Sequence, residues 1–188
     1  MTKQSYYELA HHQIQLNPFP TTEFILDIGG GGEGVIAQLM GNQVIAIDLR
    51  RDELEETDND ALKIVMDASD LQFLDASFHM VTAFYTFMYI PIASHQKVFK
   101  EVYRVLKPGG RFLVWDGQMP TKPNTEHDIV VMTSTISMPG KTIETGYGCH
   151  WPTKALDLDH YLSLGKEHGF SPIKRNGEAG KIFIEFVK

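Results

Sequence analysis

Apolar residues gather in six short runs, separated by longer polar segments. The runs are 24–28, 43–48, 62–67, 80–84, 111–116 and 181–187. Each run is apolar at consecutive rather than alternate positions, which is typical of strands buried on both faces. Such strands form a largely parallel sheet with helices on both faces, so the pattern predicts an α/β doubly wound fold.

Two segments between these runs have the 3.6-residue period of an amphipathic helix. The first is predicted to start at Ser94 as N-cap and to end before Pro108, which cannot continue the hydrogen-bond ladder. The second is predicted between Asp157 as N-cap and Gly169 as C-terminal stop. We expect His95, inside the first helix, to face solvent.

Two other segments break the alternation of strands and helices. Residues 117–151 contain two β-prone arms around Pro139-Gly140, which predicts a hairpin inserted after the fifth run. Residues 5–16 predict a short helix ahead of the first strand. Ligands of open α/β sheets bind beyond the carboxyl ends of the strands, so we expect these two segments to cover the site.

The length of 188 residues suits one domain over residues 1–188. The opening residues lack the apolar core of a signal peptide, and no apolar run reaches the roughly 20 residues of a membrane span. A lone cysteine, Cys149, cannot form an intrachain disulfide. We therefore expect a cytoplasmic protein without a membrane partner. The sequence does not indicate its oligomeric state.

Charge and histidine spacing restrict the partners further. The net charge is −7 and the chain has no dense Lys/Arg block, which argues against nucleic acid as a partner. The eight histidines follow no common metal-binding spacing, and the adjacent pair His11 and His12 would point to different faces of a helix. We expect no metal site and a small-molecule substrate.

A glycine-rich loop follows the first apolar run. Gly29, Gly31 and Gly34 satisfy G-x-G-x-x-G, and Asp48 lies 19 residues after Gly29, as in a dinucleotide-binding unit. Asp27, however, stands at the mouth of the loop, where its carboxylate would repel a pyrophosphate and favour a cationic ligand. S-adenosylmethionine carries an ammonium and a sulfonium group. The loop favours this cofactor, with a nicotinamide-dependent oxidoreductase as the alternative.

Four motifs in one order carry a family resemblance. They are "ILDIGGGGEG", "VIAID", "VMDASDLQFLDASFHMV" and "VYRVLKPGGRFLV". With them the sequence resembles the class I S-adenosylmethionine-dependent methyltransferases, particularly the compact small-molecule type similar to those of ubiquinone/menaquinone biosynthesis. The resemblance implies a Rossmann-like, mostly parallel, seven-stranded sheet and S-adenosyl-L-methionine as cofactor.

The resemblance also implies which residues contact the cofactor. They are Asp27, Gly29, Gly30, Gly31, Asp48, Leu49, Asp67, Ala68, Phe84 and Tyr85. Asp27 and the glycines would hold the methionyl part. Asp48 would accept hydrogen bonds from both ribose hydroxyls, for which an acceptor-only carboxylate is suited. Leu49 would pack on the adenine.

The remaining positions would surround the two ends of the cofactor. Asp67 would accept from the adenine amino group, and the N–H of Ala68 would serve a ring nitrogen. Phe84 and Tyr85 would lie beside the methionine portion.

The sequence departs from the family pattern at several points. Glu33 stands where a third glycine is usual, so it either faces the ligand or turns away. His79 replaces a common aspartate, and Met88 and Tyr89 stand where two histidines are frequent. These departures affect the substrate and leave the fold prediction intact.

The expected reaction is in-line methyl transfer to a small acceptor, for which positioning matters most. A dedicated base is optional, because the methyl group is already activated. His11, Tyr89 and His150 are the candidates for an acceptor that must lose a proton. A non-catalytic S-adenosylmethionine-binding subunit is a further alternative.

Overall fold

A computed structural model describes residues 5–188. The helices are α1 (Val35–Met40), α2 (Arg51–Glu56), α3 (Ile92–Val105) and α4 (Leu158–Glu167). The strands are β1 (Tyr7–Glu8), β2 (His12–Gln15), β3 (Ile25–Ile28), β4 (Val44–Asp48), β5 (Leu62–Val65), β6 (Phe78–Phe84), β7 (Leu106–Gly117), β8 (Ile129–Met138), β9 (Lys141–His150), β10 (Ser171–Asn176) and β11 (Lys181–Val187).

The main sheet has seven strands in the order β10-β11-β7-β6-β3-β4-β5. The five strands from β3 to β7 run parallel, while β11 and β10 are antiparallel to their neighbours. All six apolar runs are strands of this sheet, which confirms the prediction of a doubly wound, mostly parallel sheet. The seventh strand, β10, is exposed along its whole length and has no apolar signal.

A second sheet contains the predicted hairpin. Strands β8 and β9 pair antiparallel around Gly140, and β1 and β2 pair with β8 in parallel. The prediction of an N-terminal helix is therefore wrong. An isolated helix of this length is marginal in water, whereas the edge of β8 offers partners for the N–H and C=O groups of the segment.

The main sheet has two differently covered faces. Helices α3 and α4 cover the first face, where rings from both helices and from the sheet form an aromatic core. Helix α1 and the second sheet cover the second face, where Ile25 and Met80 pack with Val130 and Met132. Among residues 5–188, no helix has the length and apolarity needed to cross a membrane.

The helix ends agree only in part with the sequence signals. Helix α3 begins two residues before Ser94, at Ile92, with Pro91 as N-cap. For α4 the prediction is confirmed, because Asp157 accepts a hydrogen bond from the backbone N–H of His160 at 2.8 Å. Gly169 follows this helix with a φ of +87°, a left-handed conformation that glycine adopts without strain.

Candidate functional site

The carboxyl ends of β3 and β4 bring the glycine loop and Asp48 together. Oδ1 of Asp48 accepts from the backbone N–H of Arg50 at 2.8 Å. Oδ2 lies 3.0 Å from the position that a Cβ of Gly31 would occupy. One carboxylate oxygen thus fixes the turn into α2, while the other faces the loop.

The glycines of the loop lie where side chains would collide with the protein. A Cβ at Gly29 would approach the side chain of Thr86 to 2.4 Å, and one at Gly30 would approach that of Ala46 to 2.8 Å. Gly29 also has a φ of +68°. The loop is therefore pressed against the sheet and presents backbone, not side chains, to a ligand.

Asp27 is a buried carboxyl directly beneath this loop. It is only 2% exposed, and its Oδ1 accepts from the Thr82 hydroxyl at 2.7 Å. Oδ2 lies 2.9 Å from the Cβ position of Gly30. Burial raises the pKa of Asp27 to about 7; the Thr82 hydrogen bond opposes the rise and the Asp48 charge adds to it. The ionised form thus has no cationic partner among the groups acting on its pKa.

Three residues predicted to contact adenine lie after β4 and β5. Leu49 is 69% exposed, although its side chain is large and apolar. Asp67 is exposed, and its Oδ1 accepts from the N–H of Ser69 at 2.7 Å. Ala68 beside it is half-buried. Asp67 and Asp48 therefore form the same kind of turn at neighbouring strand ends, and Leu49 directly follows Asp48.

Phe84 and Tyr85 lie at the end of β6, and both are buried. Tyr85 has a φ of +51°, an uncommon conformation for a bulky residue. Its N–H donates to the carbonyl of Trp115 at 2.8 Å, and its ring stacks on that of Tyr147 at 4.4 Å. The hairpin and β7 thus fix Tyr85 in a strained conformation, a feature that clusters at functional sites.

His12, which the sequence analysis did not single out, contacts Tyr85. The Tyr85 hydroxyl lies 2.5 Å from Nδ1 of the buried imidazole. Burial lowers the pKa of His12 to about 4, and the charges of Lys181 and His11 add to this effect. His12 is therefore neutral near pH 7, and its Nδ1 shares a hydrogen bond with the Tyr85 hydroxyl.

The structure separates the three candidate bases. His11 lies on the outer face of the second sheet, where its ring nitrogens bond Thr133 and Thr135 at 2.9 Å. It points away from Tyr85, so the structure does not bring His11 to the end of β6, and a catalytic role for it stays a prediction. Along β2, His12 is buried and Ile14 is partly buried, while Gln13 and Gln15 are exposed, an alternation that the predicted helix does not give.

The other two candidates differ in position. His150 is exposed at the end of β9. Tyr89 is 52% exposed and lies in the turn after β6, where burial of part of the ring raises the pKa of its hydroxyl, as do Cys149 and Glu33. Of the three, Tyr89 lies closest in sequence to Tyr85.

Glu33 connects the glycine loop to the hairpin. Its carboxylate accepts a hydrogen bond from the Thr145 hydroxyl on β9, and its backbone carbonyl accepts one from the Gln38 amide. The sequence left open whether Glu33 faces the ligand or turns away from it. In the structure its carboxylate contacts the hairpin.

The turn after β6 is held from the first face of the sheet. His95 is buried, contrary to expectation, and its Nε2 bonds the carbonyls of Phe87 and Ile90 at 3.2 and 3.0 Å. Its Nδ1 lies 2.9 Å from Nε2 of His160. Asp116 is also buried, which raises its pKa to about 7, while the N–H groups of Gly117, Phe87 and Met88 and the Tyr161 hydroxyl favour its charged form. Among residues 5–188, no group of three or more metal-ligating side chains is present.

The strand order, the glycine loop and the acidic residues at the next strand ends define a Rossmann-like, nucleotide-type binding domain. Residues 26–114 match the model of a methyltransferase domain family. The chain is also similar to a solved S-adenosylmethionine-dependent methyltransferase from Methanosarcina mazei, with a TM-score of 0.62, 21% identity and coverage of 92% of this chain and 99% of the other. At 21% identity, the similarity to this solved structure shows the fold alone.

Two curated relatives extend the comparison. The 27-O-demethylrifamycin SV methyltransferase of Amycolatopsis mediterranei is 30% identical over 82% of this chain and 56% of its own length. The demethylmenaquinone methyltransferase of Lactobacillus johnsonii is 40% identical over 65% of this chain and 52% of its own length. These comparisons support a class I, S-adenosylmethionine-dependent methyltransferase domain over residues 26–114. The chain spans 24% to 56% of the length of the curated relatives it matches.

The cofactor of this class is S-adenosylmethionine, and the residues at the strand ends fit it. The buried Asp27 lacks a cation that an ammonium group would supply. The Asp48 carboxylate faces the loop, as expected for an acceptor of ribose hydroxyls. The exposed Leu49 offers an apolar surface for a base.

Proposed function

We propose that this chain transfers a methyl group from S-adenosylmethionine to a small-molecule acceptor. The observation that supports this most strongly is the buried Asp27 carboxyl under the glycine loop. Burial of a charged carboxylate without a cation costs free energy, and a ligand ammonium would relieve that cost. The names of the two relatives, which refer to a rifamycin and a menaquinone precursor, support a small organic acceptor.

Charge also favours this cofactor over a dinucleotide. Glu53 lies against the loop, since a Cβ at Gly31 would approach its Cβ to 2.6 Å and one at Gly32 its Oε2 to 3.3 Å. Together with Asp27 and Asp48, it surrounds the loop with carboxylates, and only Arg50 pairs with Glu53. A pyrophosphate would be repelled here, whereas an ammonium would be attracted.

The binding roles that the family resemblance implies are compatible with these positions. Asp27 would bind the ammonium, Asp48 the ribose hydroxyls and Asp67 the adenine amino group. Leu49 would cover the adenine, and the N–H of Ala68 would donate to the ring. Within hydrogen-bond reach these contacts are charge-assisted, since three of the groups are carboxylates.

When bound, the cofactor supplies a methyl group already activated by its sulfonium, so the protein has mainly to position the acceptor. Tyr85 is suitably placed to position the acceptor. When His12 carries its proton on Nε2, its Nδ1 accepts the Tyr85 hydroxyl proton, and the lone pairs of the Tyr85 oxygen can then accept from an acceptor O–H or N–H. His12 is thus a positioning residue, and correct alignment contributes up to about 7–11 kcal/mol.

The second sheet would exclude water from the reaction. Tyr147 of the hairpin covers Tyr85, and Glu33 ties the loop to the same hairpin through Thr145. Closure over the site strengthens the polar contacts beneath it.

Isothermal titration with S-adenosylhomocysteine and with NADH tests the proposal. We expect binding of the first and not of the second. Asp48→Ala should weaken S-adenosylhomocysteine binding by about 1.5–3 kcal/mol, the range of a hydrogen bond to a charged group. Binding of NADH alone would contradict the proposal.

A second measurement separates the enzyme from a non-catalytic subunit. Purified protein is incubated with methyl-labelled S-adenosylmethionine and a panel of phenols, hydroquinones and amines. Label transfer to one class is expected. Tight cofactor binding with no transfer to any class would favour a binding subunit.

A further inference from the structure

A groove of about 560 Å³ lies on the second face of the main sheet. Its roof is the extended chain 13–20, and its floor is formed by side chains of β6, β7 and β11. We call it the β7/β11 groove. The volume falls in the range of small-molecule sites, which is about 300–1,000 Å³.

The floor of the groove is aromatic and apolar. The ring of Trp115 lies between those of Phe19, at 6.0 Å and nearly parallel, and Phe183, at 5.0 Å. Leu113 and Met80 continue the apolar surface. Such a floor favours a flat or aromatic group over a fully hydrated one.

Charged residues stand at both ends of the groove and are mostly cationic. The nearly buried carboxylate of Glu185 pairs with Arg111 at 2.8 Å and with Lys174 at 2.9 Å. Lys181 lines the other end and donates to the carbonyl of Gln13 at 2.8 Å. With three cations and one carboxylate, the groove has an excess of two positive charges, although the net charge of the whole chain is −7.

The groove reaches the proposed methyl-transfer position. Tyr85 lines it, and the same residue follows β6 beside the glycine loop. Met80 lies near the opposite end, five residues earlier on the extended strand, or about 16 Å away. Register places Arg111 opposite Met80 in the sheet, so Arg111 and its partner Glu185 lie at the end remote from Tyr85.

We propose that the β7/β11 groove binds the methyl acceptor, and that this acceptor is an elongated, partly aromatic molecule with a carboxylate. Its carboxylate lies near Arg111 and Lys174, its ring lies on Trp115, and its nucleophilic atom reaches Tyr85. The assignment rests on the proposed methyl transfer, because Tyr85 marks the reacting end only if the cofactor binds at the glycine loop.

Three probes of matched shape test the preference for an anion. They are 4-phenylbutyrate, 4-phenylbutan-1-ol and 4-phenylbutan-1-amine, titrated by ligand-observed NMR into the full chain. We expect the carboxylate to bind tightest and the amine weakest. Lys174→Gln should weaken phenylbutyrate binding about two- to fivefold, as for a partly exposed ion pair, and leave the alcohol unchanged. Lys166→Gln on α4 makes the same charge change elsewhere and should have no effect.

A blocking variant tests the location. Leu113→Trp should fill the groove and abolish probe binding, while S-adenosylhomocysteine still binds. Equal affinity of the three probes, or equal effects of Lys174→Gln and Lys166→Gln, would overturn the proposal even if Leu113→Trp fails to fold. If the parent chain binds no probe and forms a dimer that Leu113→Trp disrupts, the groove is a contact between two copies of the chain. That outcome would also overturn the proposal.

The two proposals fail in different ways. S-adenosylhomocysteine binding without probe binding would overturn the acceptor groove and leave the methyltransferase function standing. Probe binding without S-adenosylhomocysteine binding would overturn the function and, with it, the assignment of the groove to a methyl acceptor.

Discussion

The two faces of the main sheet carry different kinds of buried side chain. On the first face, Phe112 contacts the rings of Phe99, Phe170 and Phe186 at centroid distances of 5.4 to 6.2 Å, beneath α3 and α4. On the second face, strands of the same sheet carry the buried groups Asp27, Thr82 and Glu185. One face is closed by rings, whereas the other holds charges and borders a groove.

This difference separates stability from function. Polar groups of the first face, such as Asp116 and His95, lie at its carboxyl edge and hold the turn after β6. Asp27 on the second face gains no cation from the protein, so its burial costs stability that only a ligand recovers. Proteins commonly accept such a cost at functional sites.

The largest expected effect is loss of a first-face ring. Phe112→Ala should lower the free energy of unfolding by about 3–5 kcal/mol, because it removes a fully buried ring from a close-packed cluster. Leu113→Ala, the next residue on the opposite face, should cost about 2 kcal/mol, since it already borders the groove. Urea unfolding measures both, and equal losses would contradict the contrast between the faces.

The second prediction concerns Asp27. Asp27→Asn should weaken S-adenosylhomocysteine binding by about 1.5–3 kcal/mol, yet raise the free energy of unfolding at pH 8, where the wild-type carboxyl is charged. In the wild type, affinity should rise between pH 6 and 8 as a group with a pKa of about 7 ionises. Calorimetry over this range measures the rise, which should be absent in Asp27→Asn.

Thr82→Val provides the matched control for this prediction. Loss of its hydrogen bond should raise the pKa of Asp27 further and shift the rise in affinity to higher pH. An affinity that is independent of pH in all three proteins would show that Asp27 does not meet the ligand.

The comparison also shows what the sequence could predict. Strands buried on both faces leave a continuous apolar run, so the six runs predicted six strands of the main sheet. Asp157 and the Pro139-Gly140 turn act through neighbouring residues, and both signals were correct. Interactions that are local in sequence are therefore predictable from it.

Pairings between distant segments were not predictable in the same way. Strand β2 exists because β8, more than a hundred residues later, offers an edge, and the short N-terminal segment has no clear period of its own. The helical interpretation of this segment gave no reason to expect His12 on the buried face and His11 outside it. The groove joins chain 13–20 to four strands of the main sheet, so no single stretch encodes it.

The third prediction uses one neutral histidine from each face, the buried His12 and the half-buried His160. Burial lowers the pKa values of His12 and His160 to about 4, and the unfolded values are near 6.5. Between these values the unfolded chain binds more protons, so each histidine lowers stability as pH falls from about 6.5 to about 4. The stability lost through His12→Gln or His160→Gln should therefore be larger at pH 7 than at pH 4.5.

Urea unfolding of the wild type and both variants at these two pH values tests this prediction. Asp27 and Asp116, with pKa values of about 7, act in the opposite direction, because the folded state binds the extra protons. The wild-type curve alone is therefore not diagnostic. A loss in either variant that does not change with pH would contradict a neutral imidazole at that position.

The smallest expected effect concerns the link between the glycine loop and the hairpin. Thr145→Val removes the hydroxyl that donates to Glu33, without a large change in volume. Since a hydrogen bond contributes about 0.5–1.5 kcal/mol, backbone amides of β9 should exchange about two- to tenfold faster, with the global stability nearly unchanged. Hydrogen exchange measured by NMR tests this. Thr142→Val, on the same strand but exposed, is the matched control, and equal acceleration in both variants would mean that Glu33 does not hold the hairpin.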